Sequence, residues 1–444
     1  MSTSGGTDRD RANRGEEAIL PPESALVAAE SGGGTACRTG NADFIVKGTP
    51  AFRLTVLSMF AAGFSTFALL YCVQPLMPIF AKEFGLRAAS ASLVLSLSTM
   101  ALAFGLIFTG PLSDAVGRKN VMVTAMLGAS AFTLIGVFSQ SWTLLLILRI
   151  LVGLCLSGLV AVAMTYLSEE IHPKDLGFAM GLYIGGNAIG GMLGRLAAGV
   201  LVDFVSWRVA LGGLGLVSIA VTLLFWRIVP PSRHFRASPQ SLRTLAAGYA
   251  THLRDRALPW LFLEGFLLMG GFVTLFNYIS YRFLEAPYGL SQSIVGCVSA
   301  VYVAGIYSSP RVGALADKFG RRRVFWVVIG VMLAGVLVTL ASSLWVILAG
   351  MLLFSGGFFG AHSVASSWVG RRALKARGQA SSLYLLSYYL GGSVAGTSGG
   401  LFWHDHGWPG VAIFIAALLV VALIVGLHLI RIPPLEPVPP ASKI

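Results

Sequence analysis

The residues best suited to chemistry in this sequence are a few ionisable side chains that lie inside long apolar segments. Glu264 is the only carboxyl group clearly inside such a segment. A carboxyl group there can carry a proton, because desolvation favours its neutral form. Glu264 also lies within two turns of the segment's start, so its side chain could instead reach back to the aqueous surface. Both interpretations stay open.

Two arginines also lie within apolar segments. Arg149 has apolar flanks on both sides, and a charge at membrane depth costs about 2.5–3.5 kcal/mol on insertion scales. We therefore expect its guanidinium to face a cavity or a partner, and Arg149 joins Glu264 as a candidate for ion coupling. Arg195 follows small residues that favour close helix packing. It could serve that packing or reach an external vestibule.

Uncharged polar and aromatic residues form a second candidate set, for contact with a solute. Tyr71 and Gln74 are three residues apart and share one helix face beside the helix-breaking Pro75 and Pro78. Each residue of the set is also compatible with helix packing or an interhelical hydrogen bond. A cavity lined by such residues is mostly apolar, which suits amphipathic small molecules. The candidate cavity residues are Tyr71, Gln74, Asn277, Tyr278, Tyr281 and His362.

Other kinds of chemistry have little to build on. The four cysteines lie far apart and form no CxxC pair, which disfavours disulfide, zinc and redox sites. No Gly-rich phosphate loop with a Lys-Ser/Thr ending occurs. His404, Asp405 and His406 share a short loop that we interpret as a solvated turn. We therefore expect no catalytic residue, no metal and no cofactor.

The candidate residues are positioned by unusually apolar segments. Apolar residues make up 55% of the 444 and charged residues only 11%, against roughly 25% charged in a soluble domain. Segments of about twenty apolar residues, long enough to cross roughly 30 Å of hydrocarbon, recur along the chain. The pattern predicts an all-α membrane protein with twelve spans. They are 54–79, 89–111, 120–139, 143–167, 177–201, 208–228, 259–284, 292–316, 324–341, 345–369, 378–403 and 409–431.

The net charge of +13 is distributed between the spans and does not form the stripe expected of a nucleic-acid surface. Alternate loops carry seventeen basic residues, whereas the other loops hold only Lys82, Arg87, Arg208 and Arg282. By the positive-inside rule, this asymmetry predicts that both termini are cytoplasmic. The seventeen are Arg118, Lys119, Lys174, Arg227, Arg233, Arg236, Arg243, Arg254, Arg256, Lys318, Arg321, Arg322, Arg323, Arg371, Arg372, Lys375 and Arg377.

Five regions follow from this pattern. Residues 1–50 are polar and without apolar periodicity, so we expect a disordered cytoplasmic tail. Residues 51–229 and 258–431 are predicted to form two pseudo-symmetric six-helix bundles. Residues 230–257 are basic and proline-containing, and they are predicted to form a cytoplasmic linker. Residues 432–444 are the C-terminal tail.

The two predicted bundles are related by an internal repeat. Gly110-Pro-Leu-Ser-Asp-Ala-Val-Gly-Arg118 recurs 203 residues later as Gly313-Ala-Leu-Ala-Asp-Lys-Phe-Gly-Arg321. Gly190-Gly191 and Trp207 recur 201 residues later as Gly391-Gly392 and Trp408. Offsets of 203 and 204 residues relate Gln74 to Asn277 or Tyr278. Such ordered matches indicate a duplicated six-helix unit, a plan that places the site near the midplane between halves.

The repeated loop motif, Gly-x-Leu-x-Asp-x-x-Gly-Arg, resembles the signature of the major facilitator superfamily. Arg149 and Gly153 resemble that family's conserved arginine motif in span four. A glycine-rich motif in span five resembles that of its drug/proton antiporters, although Gly191 stands where those proteins usually carry proline. The resemblance covers roughly residues 52–431. The glycines of this helix-packing motif are Gly186, Gly190, Gly191 and Gly194.

The resemblance implies a role for the repeated loops. In such transporters the motif aspartate faces the positive end of a helix in the other half, which would close the cytoplasmic side. Asp114 would then face the start of span eleven near Gly378, and Asp317 the start of span five near Gly177. A simple turn, capped by the aspartate, is the alternative for either loop. The predicted latch residues are Asp114, Gly117, Arg118, Asp317, Gly320 and Arg321.

The resemblance also implies secondary transport of a small organic solute, with proton-coupled efflux as the leading expectation. Span one lacks the acidic residue that many proton-coupled relatives carry, so a facilitator or importer is the first alternative. A membrane-embedded enzyme or a solute-sensing receptor is an alternative of another class. We expect a monomer in the inner (plasma) membrane whose partners are the solute, protons and lipid, with no nucleic acid.

Overall fold

The protein, seen here as a computed structural model, is built of long helices joined by short turns. The structure describes residues 44–235, 242–374 and 376–433. Within these ranges the one β-type pairing is an isolated bridge between Ile45 and Ile171. The predicted all-α fold is therefore confirmed.

The spans follow the predicted order. Their bounds, from span one to span ten, are Pro50–Tyr71, Ala88–Val116, Arg118–Gly136, Trp142–Glu170, Pro173–Leu201, Trp207–Ile228, Leu258–Leu284, Gln292–Phe319, Arg321–Val338 and Leu344–Arg372. Spans eleven and twelve lie in the continuous segment Arg377–Arg431, which is interrupted by the non-helical backbone of Gly407. Ten of the segments are long and apolar enough to cross a membrane. Span nine, Arg321–Val338, is the short helix outside those ten.

Span one differs from its predicted extent. The helix ends at Tyr71, and a turn through Gln74 and Pro75 leads into a short separate helix, Met77–Glu83. Proline lacks a backbone N–H and clashes with the preceding turn, so it ends a helix at this point. The break leaves the last carbonyl groups of span one without helical partners.

Two regions outside the spans also contain ordered structure. The predicted linker contains a twelve-residue helix, Leu242–Leu253, which precedes span seven. Residues 1–43 of the predicted tail lie outside the described residues. Residues 44–50 are described, and there the Ile45 N–H donates a 2.8 Å hydrogen bond to the Glu170 carbonyl at the end of span four.

Each copy of the repeated motif ends in a glycine that turns the chain between two spans. Gly117 has φ of 103° and Gly320 has φ of 90°, values that a residue with a side chain adopts only under strain. Each glycine joins one helix directly to the next, so the motif arginine begins span three or span nine. The two loops therefore have the same backbone design.

Spans one and five pack with their backbones almost in contact. A Cβ atom added to Gly190 would lie 2.1 Å from the carbonyl oxygen of Phe64, and one on Gly186 would lie 2.4 Å from that of Phe60. The repeat-related Gly391 stands in the same relation to Phe266, at 2.0 Å. Small residues allow this approach between helices that have no strong hydrophobic drive to associate in lipid.

Candidate functional site

The first six and last six spans meet along a seam at one end of the bundle. The Thr397 hydroxyl donates to the Ser96 hydroxyl at 2.8 Å. The hydroxyl oxygens of Thr99 and Ser393 are 2.7 Å apart. A carboxylate oxygen of Asp203 accepts from the backbone N–H and hydroxyl of Ser293, at 2.8 and 2.5 Å. We define the seam by these six residues: Ser96, Thr99, Asp203, Ser293, Ser393 and Thr397.

The helix backbones at the seam approach as closely as those within each half. A Cβ atom on Gly199 would lie 2.8 Å from the Cα of Gly296, and one on Gly400 would lie 2.5 Å from the Cα of Ala89. Real Cβ atoms essentially never come so near to backbone atoms. The seam is thus closed by backbone contact and by short polar side chains.

Asp203 is the carboxylate of the seam, just beyond the end of span five. Burial alone would raise the pKa of Asp203, but hydrogen bonds from Ser293 hold it below its ordinary value of 3.8. Ser293 lies in the first turn of span eight, where unpaired N–H groups favour a negative charge. The carboxylate therefore joins the first six spans to a helix N-terminus of the last six.

The repeated motif loops lie at the opposite end of the bundle. Ser96 and Asp114 are eighteen residues apart on span two, a separation of about 27 Å along a helix. Asp114 forms an ion pair with Arg118, which also pairs with Glu169 at 2.8 Å. In the second copy, Asp317 pairs with Arg321 and with Arg371. All of these partners lie within the same half as their aspartate.

The predicted latch contacts across the halves are not formed in this conformation. A Cβ atom on Gly177 or Gly378 would meet nothing within 4 Å, so the starts of spans five and eleven are open at these positions. Asp114 and Asp317 instead form ion pairs with the arginines of their own motifs, Arg118 and Arg321. The latch stays a prediction for a conformation in which the motif-loop end is closed.

Arg195 is the centre of a polar cluster beside the seam. Its Nε donates to Oε1 of Gln74 at 2.5 Å, and its Nη1 donates to the Gly191 carbonyl at 2.6 Å. Its guanidinium carbon lies 4.1 Å from the ring centroid of Tyr71 and 4.9 Å from that of Tyr302. The cation is therefore held between aromatic rings from spans one and eight. We call Arg195, Gln74, Asn277, Tyr71 and Tyr302 the arginine node.

The node also joins the two halves through amides. Nε2 of Gln74 donates to Oδ1 of Asn277 at 2.6 Å, and Nδ2 of Asn277 donates to the Gly396 carbonyl at 3.3 Å. A cavity of about 20 Å³ borders Gln74 and Arg195, enough room for one water molecule. The structure thus brings together Tyr71, Gln74 and Asn277 of the predicted cavity set.

The other predicted cavity residues, Tyr278, Tyr281 and His362, lie outside the arginine node. The Tyr278 hydroxyl donates to the Gly396 carbonyl at 2.8 Å. The Tyr281 ring packs 5.8 Å from Trp403, and its buried hydroxyl has no partner among the described residues. His362 is in span ten, with Nδ1 2.9 Å from the Tyr384 hydroxyl and its ring 4.6 Å from that of Tyr388. A chain of rings connects His362 to the node: Phe358 lies 6.1 Å from His362 and 3.8 Å from Phe272. Phe272 in turn lies 5.2 Å from Tyr302.

Arg149 is buried and binds backbone rather than another side chain. Its Nη1 and Nη2 donate to the carbonyls of Leu69 and Leu70 at 3.0 and 2.8 Å, and its Nε donates to that of Val94 at 3.3 Å. Leu69 and Leu70 belong to the last turn of span one, where carbonyls lack helical partners. Arg149 therefore caps the broken end of that helix, and each of its guanidinium nitrogens has an acceptor.

Glu264 is fully buried, and neither carboxyl oxygen has a hydrogen-bond partner within the described chain. A Cβ on Gly426 would lie 3.6 Å from Oε1 and close to Phe325 and Ile329. Its neighbour Gly265 packs against the Tyr384 ring, at 2.9 Å from an added Cβ. An unpaired buried carboxylate is costly, so these surroundings favour the neutral acid. The carboxyl group does not reach the aqueous surface in this conformation.

The hydroxyl residues of the seam were absent from the sequence-based candidates, and so were Asp203, Glu169, Tyr302 and Tyr384. Asp203 and Glu169 lie at the ends of spans, where an acid resembles an ordinary loop residue. Tyr302 lies in a 3₁₀ stretch of span eight, Val298–Tyr302, which changes the face that its side chain occupies. The repeat offset of 201 relates Tyr183 to Tyr384, which was the sequence signal available for Tyr384.

Twelve helical spans, most of them in segments apolar enough to cross a membrane, a repeated loop motif and a buried polar cluster together define a polytopic membrane transporter. The family model for the Major Facilitator Superfamily matches residues 59–306 and 261–444. The chain belongs to this superfamily, as its repeated loop motif predicts. It is a transporter and not an enzyme.

Two bacterial relatives cover almost all of the spans. The inner membrane transport protein YnfM of Escherichia coli (strain K12) is 59% identical over 388 residues, which cover 87% of this chain and 93% of that protein. The uncharacterized MFS-type transporter YybF of Bacillus subtilis (strain 168) is 48% identical, covering 87% of this chain and 96% of its own. The predicted location as a multi-pass inner-membrane protein is confirmed.

The fold is shared with a solved transporter structure. A bacterial homolog of the human lysosomal transporter Spinster, in an inward-facing and occupied conformation, aligns with a TM-score of 0.70. The alignment covers 86% of this chain and 97% of that one, at 15% identity. The similarity concerns the fold.

Proposed function

We propose that this protein is a monomeric secondary active transporter that exports a small amphipathic organic solute in exchange for protons by alternating access. One observation carries the proposal: the two halves touch along the seam at one end, whereas the motif loops at the other end pair only within their own halves. A carrier closed at one end and unlatched at the other is in one of the two states that alternating access requires.

The export direction is supported by charge and by resemblance. The basic loops, Arg118 and Arg321 among them, lie at the unlatched end, and the positive-inside rule assigns that end to the cytoplasm. An exporter takes up its solute from this side. The glycine-rich motif of span five, which resembles that of drug/proton antiporters, supports the same direction.

Proton exchange is supported by Glu264. Its buried, unpartnered carboxyl group can be neutral in this conformation and can ionise only where water or a cation reaches it. Proton loss and gain would thus be tied to a change of conformation. Facilitated diffusion or import is the second candidate, because span one carries no acid and Glu264 has no polar partner through which a proton leaves.

The experiment is a flux assay in liposomes that contain a pH-sensitive dye. Under an imposed pH gradient, we expect a transported solute to cause proton movement in the wild-type protein and none in Glu264→Gln. Glu285→Gln is the matched control, because Glu285 is an exposed acid just beyond the same span. Solute movement without proton flux, equal in all three proteins, would establish a facilitator instead.

A further inference from the structure

The arginine node contains a buried positive charge that no acidic side chain neutralises. Arg195 is 5% exposed, and within the described residues no carboxylate lies in ion-pair distance of it. A charge at membrane depth is normally paired or faces a water-filled cavity. The node therefore lacks one negative charge.

The amide oxygens of the node each already accept a hydrogen bond. Oε1 of Gln74 accepts from Arg195, and Oδ1 of Asn277 accepts from Gln74. Two groups that can donate are left without a partner. Nη2 of Arg195 has no acceptor among the described residues, and the buried Tyr302 hydroxyl has no partner there either. An unpaired cation with a neighbouring free hydroxyl is a set of groups that binds an anion.

The contrast with Arg149 shows that this arrangement is specific to Arg195. Both arginines are buried in apolar surroundings, at 3% and 5% exposure. Arg149 has a carbonyl acceptor for each of its three nitrogens, so each of them already has a partner in the chain. Arg195 keeps one nitrogen free and lies between aromatic rings of both halves.

The cavity beside Arg195 holds about one water molecule in this conformation, at about 20 Å³. Rings beyond the node would face the rest of a ligand once the seam opens. The Tyr71 ring lies 6.1 Å from that of Phe67 on the side of the first half. The Tyr302 ring lies 4.8 Å from Phe276 and 5.2 Å from Phe272 on the other side. Aromatic walls with a few oriented polar groups are typical of sites for small organic molecules.

We propose that the solute is an organic carboxylate whose anionic group binds Nη2 of Arg195 and the Tyr302 hydroxyl, with its apolar body against the surrounding rings. This assignment rests on the proposed transport function, since it names the class of solute. Because Arg195 belongs to the first half and Tyr302 to the second, such a ligand bridges the two halves. Its charge supplies the negative group that the node lacks.

The test is thermal unfolding of the purified full-length protein in detergent, followed by the fluorescence of its nine tryptophans. The probes are benzoate, phenylacetate and hexanoate, each compared with its primary amide. We expect at least one carboxylate to raise the unfolding temperature in a saturable manner, and its amide to have no effect. No stabilisation by any of the three carboxylates at 10 mM (roughly the weakest affinity worth assigning to a site) overturns the proposal.

Three variants assign the effect to the node. Arg195→Gln is expected to weaken carboxylate binding about tenfold or more, since a hydrogen bond to a charged group is lost, and Arg195→Lys is expected to restore part of it. Arg311→Gln is the matched control, because Arg311 is an exposed arginine of span eight whose hydrogen bond and ring contact within the described ranges are both to Tyr307. Equal carboxylate binding in Arg195→Gln and wild type contradicts the proposal.

Tyr302→Phe keeps the test decisive if Arg195→Gln fails to fold. The ring that packs on Arg195 is retained and only the unpartnered hydroxyl is removed, so the protein should fold while its carboxylate affinity falls severalfold. Unchanged affinity counts against the site. An uncharged solute that drives proton flux while no carboxylate binds overturns the anion assignment and leaves the transport function intact. Arg195-dependent carboxylate binding without any flux supports the anion site and contradicts the proposed transport function.

Discussion

Gln74 and Asn277, which occupy equivalent positions in the two repeats, are hydrogen-bonded to each other at 2.6 Å. Two repeat-related residues can touch only where the pseudo-twofold axis passes between them. This bond therefore marks the axis of the bundle at the seam end. Because Gln74 also accepts from Arg195, the arginine node is built on that axis and is shared by both halves.

Breaking the hydrogen bond between the Gln74 and Asn277 side chains should destabilise the conformation described here. Gln74→Leu leaves Nε of Arg195 and Oδ1 of Asn277 without their partners, and a buried unsatisfied polar group costs about 1–3 kcal/mol. We expect Gln74→Leu and Asn277→Leu each to lower the free energy of unfolding measured by denaturant titration in detergent. The double variant should lose less than the sum of the two.

Gln292→Leu is the control for this cycle, because its buried Oε1 has no partner among the described residues. We expect no loss of stability from that change. Strict additivity of Gln74→Leu and Asn277→Leu would mean that the bond between them contributes nothing to the folded state.

Asp203→Asn should open the seam. The change removes the negative charge at the first turn of span eight, where such a charge shifts an equilibrium by about two- to fivefold. Spin labels at the exposed positions Phe204 and Ile294 would report a larger population of long distances by pulsed electron resonance. Asp405→Asn is the control, since Asp405 is an exposed acid that pairs with His404 and takes no part in the seam.

The same carboxylate gives the seam a defined pH dependence. Hydrogen bonds from Ser293 lower the pKa of Asp203 from 3.8, so its contribution to the closed seam is complete above that value. The contribution is lost as pH falls through the lowered pKa. We expect the long-distance population to rise below pH 4 in the wild type, and this component of the rise to be absent in Asp203→Asn.

Gly190→Ala should impair packing between spans one and five. The added Cβ would meet the Phe64 carbonyl oxygen at 2.1 Å, and overpacking of this kind costs about 1–3 kcal/mol. Gly181→Ala is a matched control on the same helix, where an added Cβ meets nothing within 4 Å. A lower unfolding temperature for Gly190→Ala alone is the expected result. Equal temperatures for both variants would show that the close approach relaxes freely.

The latch prediction concerns the opposite conformation. If Asp114 moves to the start of span eleven when the motif-loop end closes, Asp114→Asn should reduce the population of that closed state. Oxidative crosslinking of cysteines placed at Ala115 and Gly378 measures the closure. Asn120→Ala is a control at the same end of the bundle, because Asn120 is exposed and lies outside the predicted latch. Equally efficient crosslinking in Asp114→Asn and in its parent would contradict the latch. Asp114 would then have only a role in the turn and in the ion pair with Arg118.

The fold was predictable because its signals are local and repeated. Apolar length defines the spans, and the motif around Asp114 and Asp317 defines the duplication. Span one was the exception, because an apolar run of the right length continues past Tyr71 although Pro75 ends the helix. The composition of a segment determines whether it enters the membrane, whereas a single proline determines where the helix stops.

The site was predictable only in part, because its geometry depends on contacts between distant residues. The offset between the two repeats related Gln74 to Asn277 and so indicated where the pseudo-twofold axis passes. The sequence made Arg149 a coupling candidate and left the role of Arg195 open. It did not show that carbonyls satisfy the nitrogens of Arg149 whereas Nη2 of Arg195 is free. That distinction arises from the break in span one and the 3₁₀ turn at Tyr302, which are properties of the folded chain.

The seam is closed by hydroxyl groups and by glycine backbones, with Asp203 as its single carboxylate. A hydroxyl group forms hydrogen bonds with water that are as good as those with another hydroxyl group. Separating Ser96 from Thr397 and Thr99 from Ser393 therefore exchanges protein contacts for hydration. Opening this end therefore takes up water. Solutes excluded from protein surfaces favour the less hydrated state, which makes osmotic pressure a variable that acts on the transport cycle alongside concentration and pH gradients.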